Sequence, residues 1–287
     1  MLSQKEVDFY HEYGYLHLPG VLSSAEVEQL QKATDRLIEF ASSWQIPQQD
    51  FQYRRDPDTG KHVLNRINST SKRAVEVQAL YGHPRLLAIA EDLLGRDFTL
   101  ADDALVIKMP EYGAPVPWHR DLATRTLRRA TDSLAVVGVD LDASTLDNGC
   151  VHQIPGTHKW DLVDIQELVD EHGFNLPGAI PVETEPGDVL VHAGNALHAS
   201  RTGRGGRLRR TIYFGAFAID PYIDEYQASH SLVKLHMQYM FRGMQLRRKL
   251  TYTRNENPFK WRGAPAWQVE MGENDHVEWG VRSARPS

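Results

Sequence analysis

Cysteine is almost absent from this chain. The single thiol in 287 residues, Cys150, excludes an intramolecular disulfide framework. Long apolar runs are missing too: none approaches the roughly 18 residues of a membrane span. The opening MLSQKEVDFY lacks the basic and then apolar order of a secretory signal, so a cytoplasmic protein with no membrane partner is expected. Nor does charge of one sign dominate. Lys and Arg number 32 against 38 Asp and Glu, a formal charge of −6, and the basic residues are spread along the chain, which argues against a general nucleic-acid binder. Repeats, low-complexity tracts and long linkers are absent as well, so residues 1–287 are expected to form one domain. With 41% hydrophobic residues the chain can build a substantial core.

The pattern changes near residue 98. Before it, helical signals prevail: Ser3 with Glu6 as a capping box ended by Gly14, Ser23 with Glu26 opening a second helix, and HPRLLAIAEDLLG with Pro84 at its start and Gly95 as its C-terminal cap. YLHLPGV lies between the first two as a strand, so the N-terminus reads helix, strand, helix. Residues 1–97 are therefore expected to be helical support. After it come short apolar runs broken by Gly, Pro, Asn and Asp: ALVIKMP, LAVVGVDL, CVHQIP, DVLVH and RTIYFGAF. That spacing predicts a mainly β core over 98–220, a sandwich or barrel, interrupted by one helix in DLVDIQELVDEHG. A long helix is expected from about Tyr222 to Lys249, packing as core, covering the barrel mouth or joining two copies in a homodimer. The tail beyond it carries Trp261, Trp267 and Trp279 and is expected to pack back. Residues 45–68 and 123–131 are candidate lids by position.

Within this frame PWHRDL stands out. On a strand, His119 and Asp121 would turn to the same side and could grip one small ion. With 13 His and 21 Asp in the sequence, about one His-x-Asp arises by chance, and the His276 and Glu278 pair near the C-terminus is of the same cheap kind. Context must decide. An iron(II) oxygenase site needs two neutral imidazoles and one carboxylate on one face of the metal, leaving positions for a co-substrate and dioxygen. His198, at the end of DVLVHAGNALHAS, can be the second imidazole, while His192 is read as a structural or supporting residue. Eleven positions on, immediately before RTIYFGAF, Arg209 offers a fork that matches the far carboxylate of a dicarboxylate such as 2-oxoglutarate. TGRGGR could suggest a phosphate loop, but no Gly-Lys-Ser/Thr and no helix follows it.

These residues, taken in order, resemble the phytanoyl-CoA dioxygenase family of iron(II)/2-oxoglutarate oxygenases. The resemblance runs from FYHEYGYLHLPGVLSSAEVEQL through WHRD and NGCVHQIPGTHKW to HAS followed by LRRTIYF. It implies a double-stranded β-helix, the cupin-like jelly roll, with His119, Asp121 and His198 as the iron(II) ligands. Arg209 falls on the arginine for the distal carboxylate of 2-oxoglutarate, with Arg210 one residue away as the competing register. Ser200 matches a position that assists the same carboxylate, and Arg66 in LNRIN resembles a basic residue able to reach the co-substrate, a surface salt bridge being its other reading. PGTHK reads as a turn closing the jelly roll, with His158 away from the metal.

The implied reaction consumes dioxygen and 2-oxoglutarate, releases succinate and CO2, and oxidises a C–H bond of a small-molecule substrate. A carboxylate at Asp121 fills the position that halogenases of the family leave to chloride, which favours hydroxylation. No basic pocket supports a CoA thioester. A non-catalytic jelly-roll binding protein is the alternative from another class; a zinc hydrolase would leave Arg209 and Ser200 without a purpose.

Overall fold

The computed structural model describes residues 1–44, 50–122, 133–161 and 163–272. The 123–131 lid segment, the His276 and Glu278 pair and Trp279 lie outside those residues, as do residues 45–49 of the other lid segment. At the N-terminus, the Ser3 hydroxyl accepts from Glu6 N while the Glu6 carboxylate accepts from Ser3 N, the reciprocal box that starts α1 (Gln4–Tyr13). Gly14 ends the helix at φ 76°, and a Cβ there would stand 2.2 Å from His158 Nδ1, so space as well as conformation demands glycine. β1 (Tyr15–Leu18) follows, then α2 (Ser24–Trp44), where Ser23 Oγ accepts from Glu26 N. Glu26 does not return the bond; its carboxylate turns inward to Arg247 and His83.

The support expected over residues 1–97 is not helical alone. Beside α3 (Val75–Leu80) and α4 (Pro84–Leu94), it contributes to the larger sheet the expected strand β1 and an unexpected hairpin, β2 (Phe51–Arg55) and β3 (His62–Asn68). The hairpin turns on DPDTG, with Asp56 N donating to Lys61 O at 2.8 Å, and its charged flanks Arg54, Arg55 and His62 hide the alternation that marks a strand. The later strands are β4 (Phe98–Lys108), β5 (Val116–His119), β6 (Leu134–Asp140), β7 (Val151–Gln153), β8 (Ile180–Val182), β9 (Val189–Ala193), β10 (His198–Ser200) and β11 (Arg209–Ala218), with α5 (Ile165–His172) before β8. The expected C-terminal helix is two, α6 (Ile219–Asp224) and α7 (His230–Arg247). Gln227 takes a left-handed φ of 55° and Ser229 caps α7 by accepting from Leu232 N, which together break the run. Core packing is the outcome for α7: Val233, Met237, Tyr239 and Met240 are buried, and the helix lies against α3 and β4.

All strand pairs are antiparallel and form two sheets, seven strands in the order β1-β9-β6-β11-β4-β3-β2 and four in the order β5-β10-β7-β8. This is a jelly roll with helices on the outside of the larger sheet. Alternation along β11 shows how the faces divide. Ile212, Phe214 and Ala216 join the main core with α2, α4 and α7, whereas Arg209, Thr211 and Tyr213 turn to the opposite face, toward the smaller sheet. Val151 and Val182 of the small sheet pack against Leu190 of the large one and close the sandwich.

Candidate metal centre

Neighbouring strands of the small sheet bring the two imidazoles together. β10 pairs with β5 so that His198 lies opposite His119, with ring centroids 4.1 Å apart. Both rings are held by their Nδ1 atoms, His119 on Pro117 O at 2.8 Å and His198 on Ala196 O at 3.1 Å. A carbonyl at Nδ1 fixes a proton there and leaves Nε2 bare, the form a metal takes. Both Nε2 atoms then converge on Asp121, His119 at 3.7 Å from Oδ1 and His198 at 3.7 Å from Oδ2.

Asp121 does not sit on a strand, as its spacing from His119 had suggested. β5 stops at His119, and Asp121 lies in the bend beyond it, where Leu122 N donates to Gly194 O at 2.8 Å and pins the segment to the loop between β9 and β10. The carboxylate still reaches the two rings. One ligand atom from each of His119, Asp121 and His198 lies within 4.8 Å of the others. His192 on β9 completes the surround: its Nε2 donates to Asp121 Oδ2 at 2.9 Å, and its ring centroid is 4.2 Å from that of His198. The supporting role read for His192 in the sequence corresponds to this hold on the carboxylate.

The charges suit a cation. Burial alone would favour the protonated acid at Asp121, yet His198, His192 and His119 around it keep the carboxyl far below the usual carboxylate range. Burial, reinforced by the neighbouring imidazoles, pushes His198 down to about 3, so it is a neutral donor. One carboxylate and two neutral nitrogens leaving half the coordination sphere open is the donor set of non-haem iron(II) oxygenases. The residues fit that metal.

On the facing sheet, Arg209 is 3% exposed and turned inward. Nη1 donates to Gly149 O at 2.7 Å and Nη2 to Thr211 Oγ1 at 3.4 Å, while Nε is buried without a partner. No carboxylate among the described residues forms an ion pair with it. Gly149, in NGC, must be glycine: its φ is +81°, and a Cβ would lie 2.5 Å from Arg201 O. Arg210 has the opposite fate. It turns outward, with Nε and Nη2 on the two oxygens of Asp142 at 2.8 and 2.9 Å and Nη1 on Asp35 at 2.5 Å. Ser200 follows His198 by two residues on β10 and is buried. Arg66, half-buried on β3 opposite Val106 of β4, donates from Nε to Asn68 Oδ1 at 2.8 Å. His158 lies away from the His119, Asp121 and His198 group, its Nε2 on His11 O at 3.1 Å, and the PGTHK turn around it ties α1 to the loop before β10 through Asn195 Nδ2 and His158 O.

One inner residue escaped the sequence reading. Lys108 ends β4 directly opposite Arg209 and is 1% exposed, with Nζ donating to Ala114 O and Arg201 O, each at 2.7 Å. Those carbonyls flank β5 and β10, so the lysine clips the two histidine-bearing strands together. Burial, with Arg209 alongside, pushes its ammonium down to about 7. Its only trace in the sequence is a cation closing an apolar run. A second group of metal-type donors, Glu26, His83 and Glu256, surrounds Arg247, which pairs with both glutamates and satisfies the cluster as an ion network. No helix among the described residues is long and apolar enough to cross a membrane.

Known proteins resemble this chain in sequence and in fold. The profile of the Phytanoyl-CoA dioxygenase (PhyH) family matches residues 10–211. Among characterised relatives, "Dioxygenase lolE1" of Epichloe uncinata is 26% identical over 76% of this chain and 84% of that protein. "Methylphosphonate hydroxylase" of Gimesia maris is 25% identical over 79% and 86%. Among solved structures, AviO1 from Streptomyces viridochromogenes Tue57 matches with TM-score 0.65 and 25% identity over 76% of this chain and 96% of its own. EvdMO1 reaches the same TM-score at 26% identity over 74% of this chain, but that match spans only 49% of the longer neighbour. EctD from S. alaskensis, solved with 2-oxoglutarate and 5-hydroxyectoine, shares the fold with TM-score 0.62 at 21% identity over 76% of this chain and 77% of its own. With the profile spanning His119, Asp121, His198 and Arg209, the chain belongs to the phytanoyl-CoA dioxygenase family and is a dioxygenase of the iron/2-oxoglutarate type.

Proposed function

We propose that the protein hydroxylates an unactivated C–H bond of a small molecule, a natural-product intermediate being the favoured class, and releases succinate and CO2. In this reading His119, Asp121 and His198 hold iron(II), and Arg209 receives the distal carboxylate of 2-oxoglutarate, with Ser200 and Arg66 assisting. The observation that carries it is a buried guanidinium that forms no ion pair with a carboxylate among the described residues, on the face that looks toward the His-Asp-His group. Asp140 is near enough to feel that charge, but its oxygens are taken by Thr211 and Thr184 and it makes no direct pair, so the fork of Arg209 is open to a counter-ion from outside.

Each residue then has a task. The carbonyls at Pro117 and Ala196 hold the imidazoles with Nε2 free, and His192 holds the carboxylate in place, so the ligand set is arranged before metal arrives. Arg209, anchored by Gly149 O, fixes one end of the co-substrate so that the other meets the metal. Iron(II) with 2-oxoglutarate would supply dioxygen activation coupled to oxidative decarboxylation. The apolar walls Val151, Val182 and Leu190 keep water from the inner space. Asp121 occupies the position through which a halide would otherwise enter, which supports hydroxylation.

The test is succinate formation with Fe(II), ascorbate and a panel of small-molecule substrates, compared with His119→Ala. Substrate-dependent succinate from the wild type and none from the variant is expected. Equal turnover by the variant would reject the assigned site, and mass spectrometry of the product, expected to gain one oxygen, separates hydroxylation from desaturation or rearrangement.

A further inference from the structure

Gln153 ends β7 directly opposite His198 on β10. Residues opposite each other in an antiparallel pair turn to one face, so its amide shares the face of His198, between the sheets. The neighbours agree: Val151, two residues earlier and on the same face, packs toward Leu190 of the other sheet, while Ile154 packs outside with Trp118 and Leu176. Gln153 is 1% exposed, and its Nε2 is buried with no hydrogen-bond partner. A buried amide nitrogen without an acceptor is disfavoured, and a native chain that keeps one has an acceptor for it from elsewhere.

The acceptor's position follows from the ends of the site. Arg209 lies over the start of this segment, its Nη1 on Gly149 O, and Ser200 lies beside Val151. Gln153 lies at the other end, beside a metal ligand. A dicarboxylate stretched between Arg209 and the metal therefore places its metal-binding end next to the Gln153 amide. We propose that Gln153 donates a hydrogen bond to the keto-acid end of 2-oxoglutarate and so sets how that end lies against the metal; this rests on the site reading above. The carboxamide is suited to the role because it adds a donor beside an anion without adding a charge beside the iron ligands.

The experiment is anaerobic calorimetry of 2-oxoglutarate on the iron(II)-loaded protein, with the visible charge-transfer band of the complex recorded in parallel. Gln153→Met keeps the volume and removes the donor. It is expected to weaken 2-oxoglutarate roughly ten- to hundred-fold, the range of a hydrogen bond to a charged group, to move the band, and to leave iron affinity within about twofold. Gln153→Glu, of the same shape, is expected to weaken 2-oxoglutarate further by placing like charges together. Where the methionine variant does not fold, Gln153→Asn, which draws the amide back by one methylene, is expected to show the same loss. Unchanged affinity and band in the folded variant overturn the proposal, as does joint loss of iron and 2-oxoglutarate, which would mark a structural role for β7. If the wild type itself takes up no 2-oxoglutarate with iron, the site reading fails and this inference with it; if only the variants behave as wild type, this inference alone fails.

Discussion

Exchanging Arg209 or Arg210 for methionine should damage two different properties. Arg210 is a folding residue. Its side chain is 5% exposed and its bidentate partner Asp142 16%, and it also donates to Gln31 O and Thr34 Oγ1, fastening β11 to α2. Asp35, the third acid-bearing contact, is 60% exposed and adds little. Breaking a buried pair by removing one partner costs about 3 kcal/mol, and at roughly 2–4 °C per kcal/mol for a chain of this size the melting temperature of Arg210→Met should fall by about 6–12 °C. Below the transition its 2-oxoglutarate affinity should match the wild type. Arg209→Met should behave in reverse. It loses the bond to Gly149 O, the longer one to Thr211 Oγ1 and the attraction of Asp140, but relieves the like charge at Lys108 and the burial of a guanidinium, so its stability should change by less than about 1 kcal/mol. Losing the cation for a buried carboxylate should cost about 3 kcal/mol of binding, roughly 150-fold in Kd. Thermal unfolding and anaerobic calorimetry with 2-oxoglutarate read the two properties separately. An Arg209→Met protein that binds 2-oxoglutarate like the wild type, or an Arg210→Met protein that folds well and has lost it, would refute the division.

Two further outcomes follow from other parts of the molecule. At Glu26, burial favours the neutral acid, but the contacts with His83 and Arg247 overcome it and hold the carboxyl down at about 2 against an ordinary 4.5. The folded state then binds fewer protons than the unfolded one between those values, so about 3 kcal/mol of stability is present above pH ~4.5 and lost as pH falls toward ~2. Denaturant unfolding of wild type and Glu26→Gln should show a gap near pH 6 that closes by about pH 2.5, and a gap of equal size at both would contradict the assignment. At the metal site, His192→Leu removes the donor that holds Asp121, and iron(II) affinity by titration should fall about 10- to 100-fold with the fold intact; unchanged affinity would mean that the bond does not orient the ligand.

Much of this was legible in the sequence, and the gaps have physical causes. β4, β6, β9 and β11 lie where apolar runs marked them, because a strand covered on its outer face by helices needs a dense apolar row. The β2 and β3 hairpin was missed because it sits toward the sheet edge, where Arg54, Arg55 and His62 can face solvent and blur the period of two. Asp121 was assigned to a strand because His-x-Asp spacing suits one, yet the geometry comes from a bend held by Gly194 O, a long-range bond with no local signature. The register between the two arginines was within reach. In RTIYFGAF the positions in phase with Arg210 are Ile212, Phe214 and Ala216, and those in phase with Arg209 are Thr211, Tyr213 and Gly215, so the apolar row already marks the side that packs against helices.

The inner face breaks the rules that the outer face keeps. Lys108 and Arg209, two basic groups both buried, stand opposite each other on paired strands, an arrangement that repels when both are charged and that burial makes worse. Gln153 keeps a buried nitrogen without an acceptor, and three imidazoles crowd one carboxylate. Beyond the clip that Lys108 makes on Ala114 O and Arg201 O, these groups do little for folding, and a sequence selected for stability alone would replace them with apolar ones. The violations share one sign logic: the cations and the amide donor lie where a dicarboxylate would run, and the acid with its bare nitrogens lies where a metal ion would stand. The complementary pair, a cation bound to one end of a dianion, answers the two sets of unmet groups together. On that argument each should strengthen the binding of the other, and titrating 2-oxoglutarate with and without iron(II) measures the coupling directly.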